Sequence, residues 1–177
     1  ILTFVVTIFS RYYLHREGGF KRYFSIILLF FLAYNLLVFA GNYETLFIGW
    51  EILGVCSFLL IAFYRDRYLP VKNALKVIWT YRFGDICLIL AMWMSHHLWH
   101  ENITFIKLLD PALVGAHFEE HGEYAVFITL MLLVAATVKS AQLPFSSWLP
   151  RAMEGPTTSS AIFYGSLSVH IGVFLLL

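Results

Sequence analysis

The hydrophobic pattern of the chain is a succession of apolar runs of about 20 residues, cut by short polar links. Hydrocarbon about 30 Å thick needs roughly 20 helical residues to cross it, so each run predicts a membrane-spanning helix. The runs are a stub from Ile1 to about Ser10, then Tyr23 to about Gly41, Tyr43 to about Tyr64, about Val71 to Leu98, about Tyr124 to Gln142, and Thr157 to Leu177. Lipid cannot satisfy an open strand edge, so every run is expected to be helical. The expected fold is an all-α, polytopic transmembrane helix bundle of about five full helices plus the N-terminal stub. No Gly/Ser linker, low-complexity tract or repeat divides it, so residues 1–177 read as a single domain. Because apolar runs stand at both ends, the chain reads as truncated at both ends.

Composition strengthens this picture and excludes a soluble protein: 60% of residues are hydrophobic, 13% are charged, and mean hydropathy is +0.75. The net charge of +1 conceals a polarity between links. Arg11, Arg16, Lys21 and Arg22 face only Glu17 in the first link, and Arg65, Arg67 and Lys72 face only Asp66 in the third. Two spans lie between these basic links, so they share a side, which the positive-inside rule makes cytoplasmic. On the other side, the link around Asn42–Glu44 is minimal, and the link 100–123 is acidic through Glu101, Asp110, Glu119, Glu120 and Glu123. A membrane with a cytoplasmic face, such as a bacterial inner membrane, fits this topology.

The run ending at Gln142 is irregular, because Pro144 follows Lys139-Ser-Ala-Gln-Leu and Pro150 follows soon after. Proline removes a helical hydrogen bond and predicts a helix break. Broken helices at membrane depth survive inside protein or beside water, and in transporters they mark the ion path. The alternative is a span that ends at the interface near Pro144, which Trp148 and Arg151 would suit.

Charges inside the spans carry the candidate chemistry. Glu51 stands about eight residues into the third run, a depth at which an ionisable group is costly unless paired or hydrated. Lys139 lies among small residues that let another helix approach closely. Desolvation disfavours its ammonium and a nearby carboxylate favours it, so a movable charge at Glu51 would toggle the proton on Lys139. Arg82 and Asp85 are three residues apart on one helix face and are expected to pair and tune the field at the proton site. Lys76 reads either as part of that tuning or as an interfacial anchor. His170 sits well inside the last run, where an imidazole suits a proton shuttle, and Tyr164 and Ser166 on the same run offer hydroxyls to a water chain.

Other chemistry finds little support. His117 and His121 have helical i, i+4 spacing but not the His-Glu order of a zinc protease, and no metal site is expected. Cys56 and Cys87 lie in apolar runs and read as packing residues. No phosphate loop, CxxC pair, haem motif or nucleophile elbow occurs, so the chain is expected to hold no cofactor and to bind no nucleic acid.

Three stretches carry a family resemblance: Gly49-Trp-Glu-Ile-Leu-Gly-Val-Cys-Ser-Phe-Leu-Leu-Ile; Arg82-Phe-Gly-Asp; and Lys139-Ser-Ala-Gln-Leu-Pro-Phe-Ser-Ser-Trp-Leu-Pro-Arg-Ala-Met-Glu-Gly-Pro-Thr. The chain resembles the subunit 5 family of NADH dehydrogenases, the distal antiporter-like subunits of respiratory complex I. Mrp-type sodium/proton antiporter subunits and related ion-transporting complexes share these motifs. The resemblance implies a proton-translocating subunit without its own redox centre, embedded in lipid beside other membrane subunits. Sodium is the alternative ion, and a cation/proton antiporter or ion-coupled uptake subunit is the alternative function.

The resemblance further implies that Glu51 is the family glutamate, Lys139 the pump lysine on the broken helix, and Arg82 and Asp85 the charged pair between them. It makes the chain the first of two inverted five-helix repeats. Where the family usually has a histidine linking two half-channels, this chain has Tyr164, and His170 follows six residues later. Six residues turn a helix by about 600°, so the two positions do not share a face.

Overall fold

A computed structural model describes residues 1–162 and 167–177 of the chain. Its helices are α1 (Leu2–Tyr13), α2 (Phe20–Val38), α3 (Tyr43–Ile61), α4 (Tyr68–Trp99), α5 (Phe105–Leu108), α6 (Pro111–Glu120), α7 (Gly122–Lys139), α8 (Leu149–Ala152), α9 (Thr157–Ile162) and α10 (Ser168–Phe174). A 3₁₀ turn, Ser146–Trp148, leads into α8. No strand occurs among the described residues, only an isolated bridge between Asn42 and Thr104.

Among the described residues, four helices, α2, α3, α4 and α7, are long and apolar enough to cross a membrane. They correspond to the four middle runs of the sequence. Their outward faces remain apolar, with Leu28, Leu32, Ile86, Trp93, Val126 and Leu130 exposed, as a bundle surrounded by hydrocarbon or other apolar helices requires. The last expected span, 157–177, is described as α9 and α10 on either side of 163–166, so Tyr164 and Ser166 lie outside the described residues.

Helix ends differ from the sequence expectation where local chemistry decides them. Helix α4 is 32 residues long, about 48 Å, and overruns the apolar span at both ends. Pro70 is tolerated there because the first helical turn donates no internal hydrogen bonds. The acidic link is not an irregular loop but contains α5 and α6. Asn42 caps α3 by accepting from the Thr45 backbone N–H at 2.9 Å, satisfying one of the free donors at that end.

Contacts between links confirm which of them share an end of the bundle. Arg22 in the first basic link donates to the Phe63 carbonyl at 2.7 Å beside the second. At the opposite end the Phe105 N–H donates to the Gly41 carbonyl at 3.0 Å, joining the minimal link to the acidic one.

The bundle core lies along α2, α3 and α4, with Phe30, Leu37, Trp50, Leu53, Cys56, Leu60 and Tyr81 buried. Helix α7 packs along α4, and α10 packs against the end of α7. A Cβ on Gly172 would stand 2.5 Å from the Ala136 carbonyl oxygen, so this close approach requires glycine.

Candidate functional site: a buried lysine beside a charged network

The helix carrying Lys139 ends sooner than its proline predicts. Lys139 is the last residue of α7, and Ala141 adopts a left-handed conformation with φ of 53°. The Gln142 N–H donates to the Thr137 carbonyl and the Ala141 N–H to the Val138 carbonyl, the paired bonds of a Schellman termination. The break therefore lies at Ser140–Ala141, three residues before Pro144. Glycine usually fills the left-handed position, and alanine there costs about 1 kcal/mol.

Beyond the break the chain turns inward and does not lie along an interface. Trp148 is buried, donates from its indole N–H to the Val138 carbonyl at 2.9 Å, and meets Tyr81 edge-to-face at 5.0 Å. This contradicts the interfacial alternative for Trp148, because its N–H finds a helix-terminal carbonyl inside the protein. Arg151 remains exposed.

Lys139 is 1% exposed. Its ammonium lies 4.4 Å from the centre of the Tyr81 ring and 4.8 Å from that of Trp50, and it donates to the Trp50 carbonyl at 3.3 Å. Among the described residues it has no carboxylate within ion-pair distance. Desolvated cation–π contacts each contribute about 2 kcal/mol, so the rings and one carbonyl partly replace its hydration. Gly54 lies beside the ammonium, where a Cβ would stand in van der Waals contact with Nζ at 3.4 Å.

Glu51, expected to act on Lys139 directly, pairs instead with Arg82. The guanidinium binds both carboxylate oxygens, Nη1 to Oε1 at 2.9 Å and Nη2 to Oε2 at 2.7 Å. This fork geometry is the strongest form of the arginine–carboxylate pair. Arg82 also reaches Asp85 through Nε at 3.5 Å, so the expected local pair exists but is the longer contact. Asp85 is 4% exposed, and its other oxygen accepts the Trp50 indole N–H at 2.7 Å. The Arg82 and Glu51 side chains, by contrast, are 39% and 23% exposed.

Trp50 joins the two halves of the site. Its indole donates to Asp85, its carbonyl accepts from Lys139, and it precedes Glu51 in the chain. Adjacent residues on a helix point about 100° apart, so α3 shows a carboxylate to Arg82 and an aromatic ring to Lys139. Tyr81 repeats the arrangement on α4, where it precedes Arg82. Sequence reasoning singled out the charges and missed these aromatics; the available signal was an aromatic residue directly before Glu51 and directly before Arg82.

The remaining candidates stand apart. Lys76 is exposed on α4 and makes no ion pair among the described residues. His170 is exposed and lines an open cleft with Tyr34, Val38 and Phe174, away from Lys139's aromatic contacts. Cys56 and Cys87 are buried and free.

Comparison with known proteins agrees with this architecture. Residues 40–177 match the family model for the transmembrane region of NADH:quinone oxidoreductases and Mrp antiporters. The chain is 36% identical to NADH-quinone oxidoreductase subunit L of Escherichia coli (strain K12) over 178 residues, covering 98% of the chain and 28% of that protein. It is 35% identical to NADH-ubiquinone oxidoreductase chain 5 of Candida albicans, covering 99% of the chain and 31% of that protein. Among solved structures, the Mrp complex from Dietzia sp. DQ12-45-1b matches with a TM-score of 0.87 and 30% identity, over 99% of the chain and 19% of the matched chain. The chain thus spans under a third of the length of these relatives. With the family model matching most of its length and the fold shared throughout, this helical membrane chain belongs to the NADH:quinone oxidoreductase/Mrp antiporter transmembrane family.

Proposed function

We propose that this chain forms part of a proton-conducting pathway in a membrane subunit of an NADH:quinone oxidoreductase. The observation that carries the proposal is Lys139, an ammonium 1% exposed and held by two rings and one carbonyl with no carboxylate within ion-pair distance among the described residues. Such a group is weakly stabilised in its charged form, so a modest change in the field around it moves its proton. Glu51, Arg82 and Asp85 supply that field. When the Glu51–Arg82 pair is closed, the carboxylate is neutralised locally and Lys139 feels little of it. When the pair opens, Glu51 favours a charged Lys139.

The partners under this proposal are lipid and the other membrane subunits of a multi-subunit complex, with electron transfer elsewhere and its energy arriving as a change in this charge network. The basic links face the cytoplasmic or equivalent side of an energy-transducing membrane. The test is Lys139→Ala in the full-length subunit within its assembled complex in vesicles. NADH-driven proton uptake should fall at least roughly tenfold. An unchanged ratio of protons moved to NADH oxidised overturns the proposal.

A second reading is an ion/proton antiporter, favoured by the similarity to the Mrp complex. Sodium-dependent proton movement in vesicles without NADH would select it, whereas strict dependence on NADH oxidation would exclude it.

A further inference from the structure

The outward face of α4 carries charges that the Lys139 site does not use. The helix is about 48 Å long against about 30 Å of hydrocarbon, so its first turns stand in the headgroup layer at the basic end of the bundle. Lys72 and Lys76 are exposed there, and neither makes an ion pair among the described residues. The Lys72 ammonium lies 5.2 Å from the centre of the Tyr68 ring. One turn deeper Trp79 is 74% exposed, and a further turn in Phe83 is 49% exposed. At about 100° per residue, Lys72, Lys76, Trp79 and Phe83 fall within about 60° of one another, so α4 presents one stripe, cationic above and aromatic below.

The segment that follows the helix break walls one side of this stripe. It runs back along α4 toward the N-terminal end, since Trp148 meets Tyr81 at 5.0 Å and Asn73 Nδ2 donates to Glu154 Oε1 at 3.4 Å. Arg151 falls midway between these contacts, level with Val77, on the α8 turn that packs against α4. It is exposed and makes no ion pair among the described residues. Deeper on the same side, the Phe145 ring lies 5.6 Å from that of Phe83. The carboxylates nearest in the chain are Asp66 and Glu154, and Glu154 accepts from Asn73. Three cations thus stand over an aromatic groove between α4 and residues 143–153.

Cations at one depth repel one another until an anion joins them, and a groove whose lower wall is aromatic and faces hydrocarbon selects an anion with an apolar tail. An indole at the interface with cations one turn above it matches the ester region and the phosphate of a phospholipid. We propose that Lys72, Lys76 and Arg151 bind the phosphate of one anionic phospholipid in the leaflet at the basic end, with an acyl chain against Trp79, Phe83 and Phe145. The ammonium groups donate to phosphate oxygens as point charges, and the guanidinium donates through two N–H groups at once. The acyl chain covers Phe145 and so holds the segment after the break against α4. Neither Lys139 nor its proton enters this site, which stands or falls apart from the proposed function.

The test uses the full-length subunit in its assembled complex, in phosphatidylcholine nanodiscs doped with phosphatidylglycerol whose acyl chain carries a photoactivatable diazirine. Illumination should label the peptide containing Phe145 and Met153, read by mass spectrometry. A phosphatidylcholine probe with the same chain should label it about tenfold less. Lys76→Gln should lower phosphatidylglycerol labelling about fivefold, and Lys72→Gln with Lys76→Gln about tenfold or more, because each cation near an anionic headgroup contributes roughly a fivefold preference. Arginine at both positions should keep it. Arg16→Gln with Lys21→Gln removes equal charge from the first basic link and should leave labelling unchanged. Equal labelling by the two probes, full labelling of the Lys72→Gln, Lys76→Gln variant, or an equal loss in the Arg16→Gln, Lys21→Gln control overturns the site. Competition by soluble glycerol phosphate as effective as that by phosphatidylglycerol assigns the cations to a free phosphate and overturns the lipid. Absence of labelling in the parent shows that another subunit covers the groove and overturns it equally.

Discussion

The two halves of the site handle charge in opposite ways. Around Arg82, one guanidinium serves two carboxylates, Glu51 through a forked ion pair and Asp85 through a longer contact, and the Arg82 and Glu51 side chains are partly exposed. Around Lys139, a single charge is sealed among aromatic rings with, among the described residues, one carbonyl to accept its hydrogen bond. In the first region each charge has an opposite charge within reach. The second holds its charge with few polar partners among the described residues. Under the proposed function, a shift in the first region is read out as a proton released by the second.

The comparison breaks most directly at Lys139. Lys139→Met removes the labile charge while keeping an apolar chain between the rings. Transport should be lost, yet thermal unfolding of the assembled complex should be unchanged or occur at higher temperature, because an incompletely solvated ammonium has been replaced by packing. A marked fall in unfolding temperature would mean that Lys139 is a structural charge. The fixed network should behave in the reverse sense. Arg82→Leu leaves buried Asp85 and half-buried Glu51 without their cation and should destabilise the protein by about 1–3 kcal/mol, measured by thermal or denaturant unfolding. A change below about 1 kcal/mol would show that the pair contributes no more than an exposed surface bridge.

Trp50→Phe tests the joint between the halves, since it keeps a ring near Lys139 and the backbone carbonyl but deletes the donor to Asp85. Stability should fall by about 1–3 kcal/mol, with transport reduced less than in Lys139→Met. Equal loss of transport in the two variants would place the labile step at Asp85. The smallest effect should be a gain. Ala141→Gly relieves the left-handed alanine beside Lys139 and should stabilise the protein by about 1 kcal/mol in the same unfolding assay. A loss of stability would show that the methyl group of Ala141 packs usefully enough to outweigh the strain.

Much of the scaffold was legible because membrane spans are encoded by length and hydropathy alone. The four middle runs became α2, α3, α4 and α7, and the links carrying Arg22 and Asn42 fell at opposite ends. Boundaries were less legible. Pro144 predicted a break, but the helix had already ended at Lys139, where the 5→2 and 6→1 bonds to Ala141 and Gln142 close it. Trp148 suited an interface by residue type and turned inward because the Val138 carbonyl at that helix end needed a donor.

By itself, the sequence determined an all-helical membrane chain, its order of spans, and the four charges Glu51, Arg82, Asp85 and Lys139, because a charge in an apolar run is visible without any knowledge of its neighbours. Only the tertiary structure decided how those charges are partnered. Spacing along one helix identified the Arg82–Asp85 pair but could not reveal that Arg82 prefers Glu51 on α3, or that Lys139 on α7 meets Trp50 and Tyr81 in place of a carboxylate. The physical reason is that hydropathy fixes depth in the membrane, whereas partnership depends on the rotation and approach of helices, set by close contacts such as Gly84 against Val138 and Gly172 against α7.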